Sequence, residues 1–200
     1  MKKTIAFITA AFVALGLIAS VAVAAGNGNN NRDKTIAEVV AASGGTFDDN
    51  HQDYDVLLNA VQAADLVDTL NTPDLGATVY APKDIAFVRL AQDLGYSGSD
   101  EEGAFGAIVD FLTDAGGGDP IPLLTQILQY HVSPEEITIY QLAKRDSVPT
   151  LLGPDIEVKG LQLRDADPDL KDASAVKPFQ VRAANGTIVP LNRVMLPIDA

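Results

Sequence analysis

The spacing of apolar residues changes once along this chain. From Ile36 to Ala143 they recur at three and four residues, as helices with one buried face require, and from Val148 onward they alternate with polar residues, as strands do. Thr35 stands as an N-cap with Glu38 at the capping-box position, and Ile36, Val39 and Val40 open a stripe that ends at Ser43-Gly44-Gly45. Thr46 to Asp53 reads as an acid-rich surface loop around His51. The clearest amphipathic helix runs from Tyr54 to Leu70, with Leu57, Leu58, Val61, Ala64, Leu66 and Val67 on one face. Thr72-Pro73-Asp74 breaks it, a short strand follows at Ala77 to Ala81, and Pro82 closes that strand. Asp84 is placed to cap the next helix, which carries Ile85, Phe87, Val88 and Leu90.

Gly95 to Pro122 is the least regular stretch. Ser97 to Asp100 starts a helix through Ala104, Phe105, Ile108, Val109, Phe111 and Leu112, and a triple glycine at Gly116 to Gly118 ends it. Leu123, Leu124, Ile127 and Leu128 then share one face of a helix that closes at Tyr130-His131-Val132. His131 lies four residues after Ile127 and so projects into the core. An unpaired buried polar group costs roughly 1–3 kcal/mol, so this helix end is expected to lock onto a distant segment through a hydrogen bond. His131 is read as structural; a ligand or catalytic base is the competing reading.

A short helix is expected at Glu135 to Ala143. Strands follow at Val148 to Leu152, Ile156 to Lys159, Leu161 to Arg164, Gln180 to Ala183 and Thr187 to Val194. Asn185-Gly186 between the last two reads as a type I′ hairpin turn. Pro190 removes a backbone donor, which marks an edge or a bulge. Helices first and strands last, without βα alternation, predict an α+β fold.

Residues 1–25 read as a signal peptide: Lys2 and Lys3, an apolar run from Ile5 to Val23, then Ala22-Val23-Ala24 before a new N-terminus at Ala25 or Gly26. The run is long enough to serve as an uncleaved anchor, but no polybasic flank follows it. Residues 26–34 are a polar, Asn/Gly-rich stretch with nothing to bury, expected to be a disordered tether before a single domain at 35–197. Localisation is therefore expected to be periplasmic or secreted, with no stable membrane insertion after cleavage.

The chain holds 14 Lys/Arg against 27 Asp/Glu, for a net charge of −13; loss of Lys2 and Lys3 with the leader takes it to −15. Such a surface repels nucleic acid and anionic headgroups. With no cysteine, the domain has no disulfides, thiolate metal sites or cysteine nucleophile, and its core alone must hold it.

Three segments together resemble the fasciclin-like domain family. Thr78 to Phe87 (TVYAPKDIAF) resembles its first motif, Ile127 to Val132 (ILQYHV) its central Tyr-His motif, and Asn185 to Pro197 (NGTIVPLNRVMLP) its closing hairpin and strand. The resemblance implies a twisted β-wedge packed against several α-helices, with the Tyr130-His131 helix end docked on the sheet. It also implies cell adhesion or extracellular-matrix association. Val189 and Asn192 stand where the family usually has a histidine and an acid. Gln180 and Val181 stand where adhesive animal members often carry an Asp-Ile pair read by receptors. The partner surface implied here is Gln180, Val181 and Arg182.

Other chemistry is weakly signalled. Asp165-Ala166-Asp167-Pro168-Asp169 has acids at positions 1, 3 and 5 of a calcium loop, but Leu170 replaces the required Gly and Val176 the bidentate Glu. Asp48, Asp49, Asp53 and Asp55 fail the same template, and all are read as solvated. Gly95-Tyr96-Ser97-Gly98-Ser99 breaks the G-x-S-x-G elbow at its last position. No catalytic, metal or cofactor-binding residue is assigned. The expectation is a monomeric exported binding module whose partner is a cell-surface or matrix protein or polysaccharide. The rival is a periplasmic or extracellular small-ligand or polysaccharide-binding protein with a cleft beside Gly95 to Pro122.

Overall fold

The computed structural model describes residues 30–197, so the expected leader and the first part of the polar stretch lie outside the described residues. Where that stretch comes into view it is not a loose tether. Asn31–Asp33 form a 3-10 turn, and the Lys34 carbonyl accepts from the Ala184 amide at 2.6 Å.

Helix α1 (Ile36–Ala41) opens with the expected capping box: the Thr35 hydroxyl accepts from the Glu38 amide and the Glu38 carboxylate from the Thr35 amide. The long amphipathic helix expected from Tyr54 to Leu70 is two, α2 (Asp55–Ala63) and α3 (Val67–Asn71). The chain breaks where Asp65 adopts φ 55°, and the Leu66 amide reaches back to the Val61 carbonyl, a helix-ending bond that the apolar spacing cannot reveal. Strand β1 (Ala77–Pro82) leads into α4 (Asp84–Asp93). Asp84 caps a helix, but not its own. Its two carboxylate oxygens accept from the Asp55 and Val56 amides at 3.1 and 2.9 Å, the first turn of α2. Helix α5 (Glu101–Ala115) starts after Ser97 to Asp100 as expected, with Asp100 as its cap, and α6 (Ile121–Tyr130) ends at His131.

Beyond α6 the elements are shorter than expected. The two-residue strand β2 (Val132–Ser133) precedes α7, which spans only Ile139–Leu142. Residues 135–137 cannot join that helix because the Thr78 hydroxyl of β1 donates to the Glu135 carbonyl and accepts from the Ile137 amide. Strand β3 (Ser147–Val148) stops before the Thr150–Gly153 turn, and β4 (Ile156–Lys159), β5 (Gln162–Arg164) and the unforeseen β6 (Ala173–Ser174) follow. Strands β7 (Val181–Ala183) and β8 (Gly186–Leu191) close the chain.

One four-stranded sheet runs β2-β1-β8-β7, with β1 and β8 parallel and the outer pairs antiparallel; the other, β3-β4-β5-β6, is an antiparallel meander. Helices plus mixed and antiparallel sheets make an α+β fold. Every residue of β1 and β8 is buried because these central strands are covered on both faces. Val79 and Ile188 face a core built with α1 to α6, while their neighbours Tyr80, Val189 and Leu191 face a second core shared with Val148, Ile156, Val158 and Leu163 of the meander. Pro190 is tolerated because β7 extends only to Val181, opposite Ile188, and the Pro190 carbonyl is taken by the Val176 amide.

The hairpin loop is Ala184-Asn185 and not Asn185-Gly186, since Ala183 pairs with Gly186. Asn185 is a buried clamp. Its side-chain oxygen accepts from the Ile36 amide at 2.8 Å, and its amide donates to the Leu70 and Thr72 carbonyls. Gly186 allows this approach, since a Cβ there would run into the Ala77 carbonyl oxygen.

Candidate functional site

Helix α6 delivers His131 to the point where helix, sheet and closing segment meet. The ring is 3 % exposed. Its Nδ1 lies 2.8 Å from the Ile127 carbonyl and its Nε2 2.9 Å from the Met195 amide. An amide can only donate, so Nε2 is the acceptor and Nδ1–H the donor. The His131 carbonyl in turn accepts from the Tyr80 amide of β1 at 2.9 Å. Burial pushes the imidazole down to about 4, which keeps it neutral. Both ring nitrogens are occupied, so the ring is not free to ligate or to take a substrate proton. Tyr130 lies in the second core, and burial lifts its hydroxyl to about 12.

The hairpin residues lie at a sheet edge. Val181 and Arg182 belong to the short edge strand β7, and the Gln180 side chain accepts from the Ile139 amide at 3.0 Å, satisfying the first turn of α7. An open groove of about 620 Å³ runs past Arg32, Tyr140, Pro178, Gln180, Val181 and Arg182. Tyr140 is 80 % exposed, and Arg32 and Arg182 are both exposed. Gln180 to Arg182, singled out by the resemblance, line this groove together with Tyr140 and Arg32, which the sequence did not single out. Tyr140 sat within an expected helix, and nothing in the sequence places Asn31–Asp33 beside β7.

The stretch from Gly95 to Pro122 carries α5, which belongs to the helical core. The enclosed apolar cavity between Ile108, Leu112, Leu124 and His131 measures about 30 Å³, room for roughly one water. Of the Asp165 to Asp169 acids, Asp165 and Asp167 turn inward to the backbone and Asp169 is exposed. Asp165 accepts from the Leu196 amide at 2.7 Å and from Asp167, while Asp167 accepts from the Asp169 and Leu170 amides. Burial raises Asp165 to about 6. The loop before α2 is only in part the solvated surface expected of it: Asp48 and Asp49 are exposed. Asp53 and Asp55 are buried, and His51 Nδ1 lies 3.0 Å from the buried Glu101 carboxylate. Among the described residues, the groups able to hold a metal ion are Asp48, Asp55 and Glu101, and Asp53, Asp84 and Glu101.

A family model for the Fasciclin domain matches residues 52–197. The chain belongs to the fasciclin domain family. An uncharacterized protein of Synechocystis is 29% identical over 143 residues, 72% of this chain and 89% of that protein. Among solved structures, a FAS1 domain pair from the insect cell adhesion molecule Fasciclin I matches with a TM-score of 0.53 and 17% identity, over 82% of this chain. This chain spans about half of that one, 51%, in keeping with one fasciclin domain against a pair. At that identity the likeness concerns the fold. Fasciclin domains are associated with cell adhesion, are in general not enzymes, and occur in extracellular and secreted proteins. Among the described residues no helix is long and apolar enough to cross a membrane.

Proposed function

We propose that this fasciclin domain is an exported binding module that attaches to a cell-surface or extracellular-matrix component, protein or polysaccharide, through the groove at the β7–β8 hairpin. The observation that carries this reading is the composition of that groove. It joins an aromatic ring exposed over most of its surface to two exposed arginines, on a chain whose net charge is −13. Exposed Tyr and Arg are the residue types that anchor interfaces. Acidic loops elsewhere supply solubility and steer encounter, an effect screened beyond about 8 Å at physiological ionic strength.

The test is adhesion of cells or matrix to the immobilised domain across a salt series, comparing the parent with Tyr140→Ala/Arg182→Ala and with Gln180→Ala/Val181→Ala. Each variant is first checked for fold by circular dichroism. Loss of adhesion in both double variants at every salt concentration supports the groove. Adhesion that ignores both variants and disappears with moderate salt alone would move the contact to the acidic loops.

A further inference from the structure

The carboxylates that the chain gathers around the start of α2 have no role in the groove or in the His131 clamp. Asp48 and Asp53 come from the loop before α2, Asp55 from the first residue of α2, Asp84 from the start of α4 and Glu101 from the start of α5. Asp53 is 8 % exposed and Asp55 0 %, while Asp84 and Glu101 are also buried. Oxygens of Asp48, Asp55 and Glu101 lie within 4.8 Å of one another, and so do those of Asp53, Asp84 and Glu101. Glu101 joins the two groups.

Donors account for most of these oxygens. Asp84 takes two α2 amides, Glu101 takes the Asp48 amide and His51 Nδ1, and Asp55 Oδ1 takes the Gly45 amide. Asp53 Oδ2 takes the Asn50 side-chain amide at 2.9 Å. Asp48 is exposed and takes the Asn50 amide; of the buried oxygens, two remain, Asp53 Oδ1 and Asp55 Oδ2, one in each group. Both are buried and neither has a hydrogen-bond partner. Buried carboxylate oxygens without a partner are strongly disfavoured, and buried charge persists where it is paired or coordinates a metal. The cationic side chains nearby do not balance five carboxylates. Among the described residues His51 makes the one ion pair to the cluster, and the Lys83 ammonium is turned to the Gln52 side chain at 3.1 Å. The backbone is also shaped to this cluster. A Cβ on Gly44 would collide with the Asp55 carboxylate.

We infer that Asp53, Asp55, Asp84 and Glu101, with Asp48 at the rim, form a binding site for a hard divalent cation, and that Ca²⁺ is the ion it fits. The donor set is all carboxylate oxygen, in mixed orientations and without thiolate. That suits the flexible six- to eight-oxygen shell of Ca²⁺ better than the near-ideal octahedron of Mg²⁺ or the sulfur- and nitrogen-rich shells of zinc. An ion at Glu101 supplies the positive charge that the two orphaned oxygens lack. It also ties the loop before α2 to the starts of α4 and α5, so binding stabilises the fold.

The competing account is proton sharing. The Asp84 carboxyl is pushed up to about 8, first by burial and then by the neighbouring Asp53 carboxyl, so a proton shared between the two would give Asp53 Oδ1 a partner without any metal. Titration calorimetry of chelator-stripped full-length protein with CaCl₂ at pH 7.5, alongside thermal melts, decides between them. The expected result is saturable binding of one or two ions and a melting temperature raised by about 5–10 °C when Ca²⁺ stands a hundredfold above its Kd. Asp55→Asn and Asp53→Asn should each weaken binding by roughly tenfold or more, whereas Asp165→Asn, on the other acidic loop, should leave it unchanged. A parent protein that gives neither heat nor a melting shift at millimolar CaCl₂ overturns the proposal. So does a folded Asp55→Asn protein that binds Ca²⁺ like the parent. Should either variant fail to fold, the parent titration with MgCl₂ in place of CaCl₂ still decides, because equal response to both ions contradicts the assignment to Ca²⁺.

Discussion

Replacing His131 with alanine removes one side chain that ties three parts of the chain together, and the structure gives the size of the effect. The Met195 amide loses its acceptor, although Met195 is fully buried, and the Ile127 carbonyl loses a donor at the end of α6. Leaving a buried donor unpaired costs about 1–3 kcal/mol. The void left by the ring, roughly 60 Å³, opens beside an existing cavity and adds about 1.5 kcal/mol at 24 cal/mol per Å³. The expected loss is therefore about 2.5–4.5 kcal/mol, read from urea unfolding monitored by circular dichroism with the m-value unchanged.

The same variant has a pH signature. The folded imidazole titrates at about 4 against an ordinary 6.5, so below pH 6.5 the unfolded chain binds a proton that the native ring refuses. The stability held by the neutral ring is complete above pH 6.5 and is lost as pH falls through 4, by about 3 kcal/mol at 1.36 kcal/mol per pKa unit. Asp84 and Asp165 act in the opposite sense. Their folded values are raised to about 8 and about 6, so their burial lowers stability as pH rises through those values. The informative curve is thus parent minus His131→Ala, in which the carboxylates cancel. A loss below about 1 kcal/mol, or a difference curve flat between pH 4 and 6.5, would refute the clamp.

Two further substitutions probe the core. Asn185→Ala orphans the Ile36 amide and the Leu70 and Thr72 carbonyls, and should cost about 2–4 kcal/mol in urea unfolding, with Gln no better a substitute than Ala because the clamp sits in a tight turn. Tyr80→Phe deletes a buried hydroxyl that has no hydrogen-bond partner among the described residues. It should therefore leave the melting temperature unchanged or raise it, and a loss above about 1 kcal/mol would show that the hydroxyl is satisfied.

Much of the architecture is written in local pattern. The Thr35–Glu38 capping box, the helix start after Ser97 to Asp100, the Ile127–His131 face and the shift from helical spacing to alternation all appear where the sequence places them, because each depends on neighbours within a few residues. What the sequence hid depends on partners far along the chain. Asp84 looks like a cap for its own helix until α2 is brought against it, and residues 135–137 look helical until the Thr78 hydroxyl claims their backbone. Asp53, Asp55 and Glu101 carry the composition of a solvated surface, and only the docking of α2, α4 and α5 buries them together. The groove was half legible. Gln180 to Arg182 follow from a resemblance in the closing hairpin, whereas Tyr140 and Arg32 reach it from segments roughly 40 and 150 residues away.

The central claim, that partners are held at the hairpin groove, is tested most directly by amide hydrogen exchange on the domain, free and bound to matrix or cell-envelope material that retains it. The expected result is slowed exchange confined to residues 30–34, Thr138 to Gln141 and Gln180 to Ala184, with the amides of α5 unchanged. Protection that spares those segments and falls instead on residues 95–122 would contradict the account and place the binding face on the far side of the helical layer.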